Sequence, residues 1–180
     1  MPRPTPRRMT LAVLAVAALP GLGLVAVGCG SSDDAGQATT SSQQLSDAQK
    51  TALLPAYQAD VKAAKAVVGP DADTTDLAAL ATNARAWQKA GEAWTAALDS
   101  VADELGDGPC HDALRTVAFA QAAEDAIIGN IADAAAAGQA ADAASHLEDY
   151  AAVRKSEHTE EVVQDVKGDL TACGVKVTAD

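Results

Sequence analysis

Nine positions in the middle of the chain constrain its fold more than any other feature. Leu77, Leu80, Ala84, Trp87, Gly91, Trp94, Leu98, Val101 and Leu105 follow one another at alternating steps of three and four without a miss. An α-helix returns to the same face about every 3.6 residues, so these side chains form one continuous stripe. A stripe of that length has to be buried against other helices. Trp87 and Trp94 belong to it and read as core, not as an exposed stacking platform.

The rest of the chain repeats the theme. Alanine supplies roughly a quarter of it, a composition that favours helix. Ser46 with Gln49 three residues on is a capping-box arrangement. Leu54, Tyr57, Val61, Ala64 and Val68 then mark the apolar face of a first helix, which Gly69-Pro70 ends. Pro55 is expected to kink that helix or delay its start. Gly106-Asp107-Gly108-Pro109 is a loop, with Pro109 suited to the first turn of a third helix running to about Ala137. Gly138 reads as its C-terminal cap, and a fourth helix opens at Asp142 or a neighbour and ends near Leu170. The expectation is all-α: an antiparallel up-down four-helix bundle over residues 46–175, with a tail at 176–180.

The cysteines support the last fold-back. Sixty-three residues of continuous helix would span ~95 Å, whereas bonded cysteines need Cα atoms ~5–6 Å apart. If Cys110 and Cys173 are joined, the chain must reverse near residue 141, close to Gly138. One disulfide then closes the hairpin of the third and fourth helices. A zinc site would need more ligands than these two offer at usable spacing.

The third cysteine has a different setting. Arg3, Arg7 and Arg8 form a positive start with no acidic residue, and an apolar run from Leu11 to Val27 follows, interrupted by Pro20, Gly21 and Gly23. That pattern is a signal peptide and not a membrane span. The run closes as Leu24-Val25-Ala26-Val27-Gly28-Cys29-Gly30-Ser31-Ser32. It resembles the lipobox of bacterial prolipoproteins, with Ala26 where the family usually has leucine. The resemblance covers residues 1–32. It implies removal of residues 1–28, a diacylglycerol thioether on Cys29, and a location on the cell membrane facing away from the cytoplasm. Arg7-Arg8 also resembles a twin-arginine export signal, departing from it at Thr10, where a large apolar residue belongs. An exported chain with one further cysteine pair is expected to oxidise it. Residues 29–45 are the lipidated cysteine and a polar tether, with a root-mean-square reach of ~20 Å.

Charge narrows the partners. The formal charge is −12, and without the three arginines of the signal it is −15. Nucleic acid and anionic headgroups are repelled, so the membrane is met through the lipid alone. There is no C-x-x-C-H for covalent haem, no methionine after residue 28, no phosphate loop and no G-x-S-x-G. No cofactor and no enzymatic activity are expected.

One feature suggests a site. The stripe of the third helix, Cys110, Leu114, Val117, Gln121, Glu124, Ile128, Ile131 and Ala135, turns polar at Gln121 and Glu124, with Asp125 beside them. On the fourth helix Leu147, Ala151, Val162 and Val166 bracket Arg154 and His158. The register set by the cystine and the Gly138 turn puts Glu124 opposite residues 154–159, so a polar layer should cross the bundle. A buried ion pair is its plainest reading. A metal ion or small ligand is the alternative, since bundle interiors hold such sites. His158 and Glu161 lie three apart, a spacing that resembles the H-x-x-E of imelysin-like periplasmic iron-linked proteins. Ser156 stands where those motifs carry glycine. Two functional classes follow: an envelope module that meets another protein, or a carrier or sensor that uses the polar layer.

Overall fold

Ser46 starts the first helix by a reciprocal cap. Its hydroxyl accepts from the Gln49 backbone N–H at 3.2 Å, and the Gln49 side chain accepts from the Ser46 N–H at 3.0 Å. The computed structural model describes residues 44–156, 161, 164–165, 167–168, 170–171 and 173–175. They contain four helices, α1 (Asp47–Val68), α2 (Leu77–Leu105), α3 (Pro109–Ala136) and α4 (Ala140–Arg154), and no strand among the described residues. Pro55 is exposed within α1 and does not delay its start. Asp76 caps α2 through bonds from the N–H groups of Ala78 and Ala79. Pro109 takes the first turn of α3, and Gly138 follows that helix at φ +72°, a conformation glycine adopts without strain.

Contacts between helices fix their register. Between α1 and α2, Tyr57 packs on Trp94 with ring centroids 5.5 Å apart, and Asn83 Nδ2 donates to the Ala66 carbonyl. Between α2 and α3, Arg85 pairs with Asp133, Gly91 lies against Asp125, and Arg115 pairs with Asp99 and Asp103. In both pairs, numbers rise along one helix as they fall along the other.

Two apolar clusters result. One gathers Leu45, Leu53, Tyr57, Trp94, Leu98, Leu114 and Val117 with Cys110, Leu170, Cys173 and Val175. The other gathers Ala64, Val67, Leu80, Trp87, Ile128, Ile131, Ala143 and Tyr150. Each fully buried large side chain contributes about 1.5–3 kcal/mol before conformational entropy is counted.

Three expectations need correction. First, α4 ends at Arg154 and not near Leu170. The N–H groups of Lys155 and Ser156 turn back to the carbonyls of Ala152 and Val153, a tightened last turn. Helical residues resume in the described part of 161–171. Cys110 is bonded to Cys173, with Cα atoms 5.3 Å apart, so the cystine ties the start of α3 to chain beyond this break. Second, Leu45 belongs to the folded part and not to the tether: it is 3% exposed, and its N–H donates to the Cys173 carbonyl at 3.1 Å. Third, the buried face of α1 is Leu53, Tyr57, Asp60, Ala64 and Val67, one residue off the expected stripe at three positions. Leu54 and Val61 are half-buried and Val68 is exposed. Among the described residues no helix is long and apolar enough to cross a membrane.

Candidate functional site

Between the two apolar clusters lies a layer of buried polar side chains: Asp60 from α1, and Gln121, Glu124 and Asp125 from α3. Position, not composition, brings them together. Asp60 continues the three-and-four stepping of the buried face of α1, and Gln121 and Glu124 continue that of α3. On α2 the facing residue is Gly91. A Cβ there would stand 2.0 Å from Asp125 Oδ1 and 2.7 Å from Gln121 Nε2, so this close approach needs glycine. Gln121 Nε2 donates to Asp125 Oδ1 at 2.9 Å.

Helix α4 closes the layer with Tyr150 and Arg154. The Tyr150 hydroxyl donates to Glu124 Oε1 at 2.5 Å, and the Tyr150 ring meets Trp87 edge-on at 5.4 Å. Arg154 Nη1 donates to the Tyr150 oxygen at 3.4 Å and lies 3.8 Å from Glu124 Oε1, with its guanidinium 5.9 Å from the Tyr150 ring centroid.

Burial sets the electrostatics. It pushes the Glu124 carboxyl up to about 8, against the Tyr150 bond and the Arg154 charge and with help from Asp60 and Asp125. It raises Asp125 to about 7, with the Gln121 bond opposing and Asp60 and Glu92 adding. Asp60 rises to about 6 for the same reason. The Trp87 indole N–H pulls Asp60 the other way, while among the described residues Asp60 Oδ1 and Trp87 Nε1 have no partner at hydrogen-bond geometry. Tyr150 is raised above its ordinary value by burial first and by Glu124 second. Among the described residues, Thr95 Oγ1, Gln121 Oε1 and Glu124 Oε2 also lack partners. Each such atom costs about 1–3 kcal/mol.

An open groove of about 610 Å³ runs along the outside of this layer, between the end of α1, the α1–α2 connection and α4. Val67, Val68, Leu147 and Ala151 line it together with Tyr150 and Arg154. These last two residues belong to both the groove wall and the buried layer.

Of the residues singled out in the sequence, Gln121, Glu124 and Asp125 are buried in this layer and Arg154 lies at its edge. Glu161 is exposed on a helical segment. Ala151, expected in the buried stripe of α4, is exposed, and Tyr150 takes the buried place. His158, Val162, Val166 and Cys29 lie outside the described residues. The H-x-x-E pair is therefore described only at its glutamate. Sequence reasoning missed Asp60 and Tyr150. Among the described residues, no group of three or more His, Cys, Asp or Glu is disposed to hold a metal ion. No protein-family model, curated protein or solved structure matches the chain.

Proposed function

We propose that this chain is a lipid-anchored, extracytoplasmic and non-enzymatic binding protein, built as an up-down helical bundle, that takes a small ligand in the groove beside its polar layer. The anchor rests on the sequence around Cys29, and export is compatible with a bonded Cys110–Cys173 pair. One observation carries the ligand reading. Tyr150 and Arg154 line the groove and at the same time hold Glu124, which is 0% exposed. Groove volumes of this order accommodate small molecules.

Two measurements test the two halves. Cys29→Ser removes the attachment atom, so the variant leaves the membrane fraction or accumulates unprocessed; normal processing with an unchanged membrane fraction defeats the anchor. Ala151→Phe fills the groove from an exposed position. Small molecules extracted from protein purified out of the cell envelope should include one that the Ala151→Phe variant lacks, and identical extracts defeat the ligand reading.

A protein partner is the second reading, favoured by Phe119, which is 64% exposed on α3.

A further inference from the structure

We infer that α4 is a latch over the apolar cluster around Trp87 and Ile128, shut through the Tyr150–Glu124 bond and released as Glu124 ionises. The inference goes beyond the ligand reading and does not need it. Helix α4 packs chiefly on α3. It has the fewest buried side chains of the four helices, Ala143 and Tyr150 alone. Both of its ends can give. Gly138 stands just before it at φ +72°, and the helix breaks off after it at Lys155 and Ser156. The chain on either side is held without it. Before α4, α3 is fixed on α2 by the Arg85–Asp133 and Arg115–Asp99 pairs. Beyond α4, the Cys110–Cys173 bond and the Leu45 N–H to the Cys173 carbonyl tie the chain down. Helix α4 can therefore lift as a unit while the cluster around Trp94 and Leu98 stays closed.

Glu124 supplies the trigger. It is 0% exposed, its Oε1 accepts from Tyr150, and its Oε2 has no partner among the described residues. Tyr150 and Arg154 face it from α4, Asp60 bears on it from α1 and Asp125 from α3. Helix α2 brings uncharged residues to the layer, with Trp87 against Tyr150 and Gly91 against Asp125. A protonated Glu124 sits in this layer at no charge. An ionised one is cut off from water beside two further carboxyls, and burial outweighs the help of Tyr150 and Arg154. Lifting α4 takes Tyr150 away and lets water reach the carboxylate, so ionisation favours the open state. The closed value is about 8 against an ordinary 4.5, and release therefore builds as pH rises between the two. Helix α4 is also one wall of the open groove, so its release takes the groove apart.

Amide hydrogen exchange of the full chain in nonionic detergent, corrected for the intrinsic pH dependence of exchange, reads the latch. From pH 5 to pH 7.5, protection in α4 should fall by about tenfold or more and end about tenfold or more below that of α2. Urea at about 1 M should leave α4 protection nearly unchanged, because a local opening exposes little surface, while it lowers that of α2. Glu124→Gln cannot ionise, so it should hold α4 protection within about threefold over the same pH range. Tyr150→Phe, which keeps the ring, should lower α4 protection at both pH values and retain the step between them. The wild-type measurements decide by themselves if Glu124→Gln does not fold. Equal protection and equal urea dependence of α4 and α2 overturn the inference. So does α4 protection that ignores pH in the wild type, or a step that survives Glu124→Gln.

Discussion

Tyr150 reaches from α4 into the core and donates its hydroxyl to Glu124 Oε1 on α3 at 2.5 Å, in a layer with Asp60, Gln121 and Asp125. This bond joins the end of α4, which carries only two buried side chains, to the most buried face of the molecule. Tyr150→Phe keeps the ring against Trp87 and removes only the donor. It should lower stability by about 1–3 kcal/mol, because among the described residues Glu124 Oε1 then retains only Arg154 at 3.8 Å. Urea unfolding at pH 7 measures this, and a change below about 0.5 kcal/mol would show that the bond contributes nothing net.

Gly91→Ala reverses the usual helix rule. Alanine exceeds glycine in helix propensity by about 1 kcal/mol, but here the new methyl would stand 2.0 Å from Asp125 Oδ1. Net destabilisation of about 1–3 kcal/mol is expected from overpacking. Gly129→Ala is the control, since its Cβ meets only the flexible Gln88 amide at 3.1 Å. It should be neutral or stabilising. Equal effects of the two substitutions in urea unfolding would deny that glycine is required by the close approach.

The pair of substitutions also marks what the sequence discloses. The stripe of α2 was legible from Leu80 to Val101 because nearly every position on it is apolar. Gly91 in that stripe looked like a neutral member, and its reason lies on α3, out of reach of any periodicity. On α3 the polar interruption at Gln121 and Glu124 stood out against an apolar stripe. On α1 the same kind of interruption was hidden. Two stripes pass through Tyr57 and Ala64 and both step by three and four; the one with Leu54, Val61 and Val68 is wholly apolar, and the buried one contains Asp60. A central polar interruption shared by both helices was the available signal. Tyr150, one position before Ala151, is hidden by the same kind of one-residue ambiguity. The end of α4 carries neither glycine nor proline, so nothing local announced it.

Intact mass should show the Cys110–Cys173 pair oxidised in protein purified without reductant. Reduction, or replacement of both cysteines by alanine, releases a loop of 63 residues. The chain-entropy account sets the loss at about 4 kcal/mol. Two free thiols in freshly isolated material would remove the covalent tie between α3 and the chain end that meets Leu45.

The last prediction concerns acid. Burial raises Asp60 from 3.8 to about 6, Asp125 from 3.8 to about 7 and Glu124 from 4.5 to about 8. A carboxyl whose folded value is raised binds its proton more tightly in the native state than in the unfolded chain. Its contribution is therefore complete below its unfolded value and is lost as pH rises through the folded one. All three groups act in the same direction, so stability should fall as pH climbs from about 4 to about 8. This is opposite to a protein held together by salt-bridged carboxylates. The acidic surface adds to the trend, because its self-repulsion grows over the same range. Arg154 and Tyr150 face Glu124 from α4 and moderate its shift without cancelling it. Asp73, exposed and lowered by its bonds from Thr75 and Asp76, works against the trend only at the acid edge. The melting temperature should be higher at pH 5 than at pH 8 by about 5–15 °C, a difference on the order of a few kcal/mol. Glu124→Gln mimics the protonated acid, so it should be nearly neutral at pH 5 and should flatten the decline between pH 6 and 8. A melting temperature that rises from pH 5 to pH 8 in the wild type would mean that these carboxyls are ionised in the folded core and held there by partners.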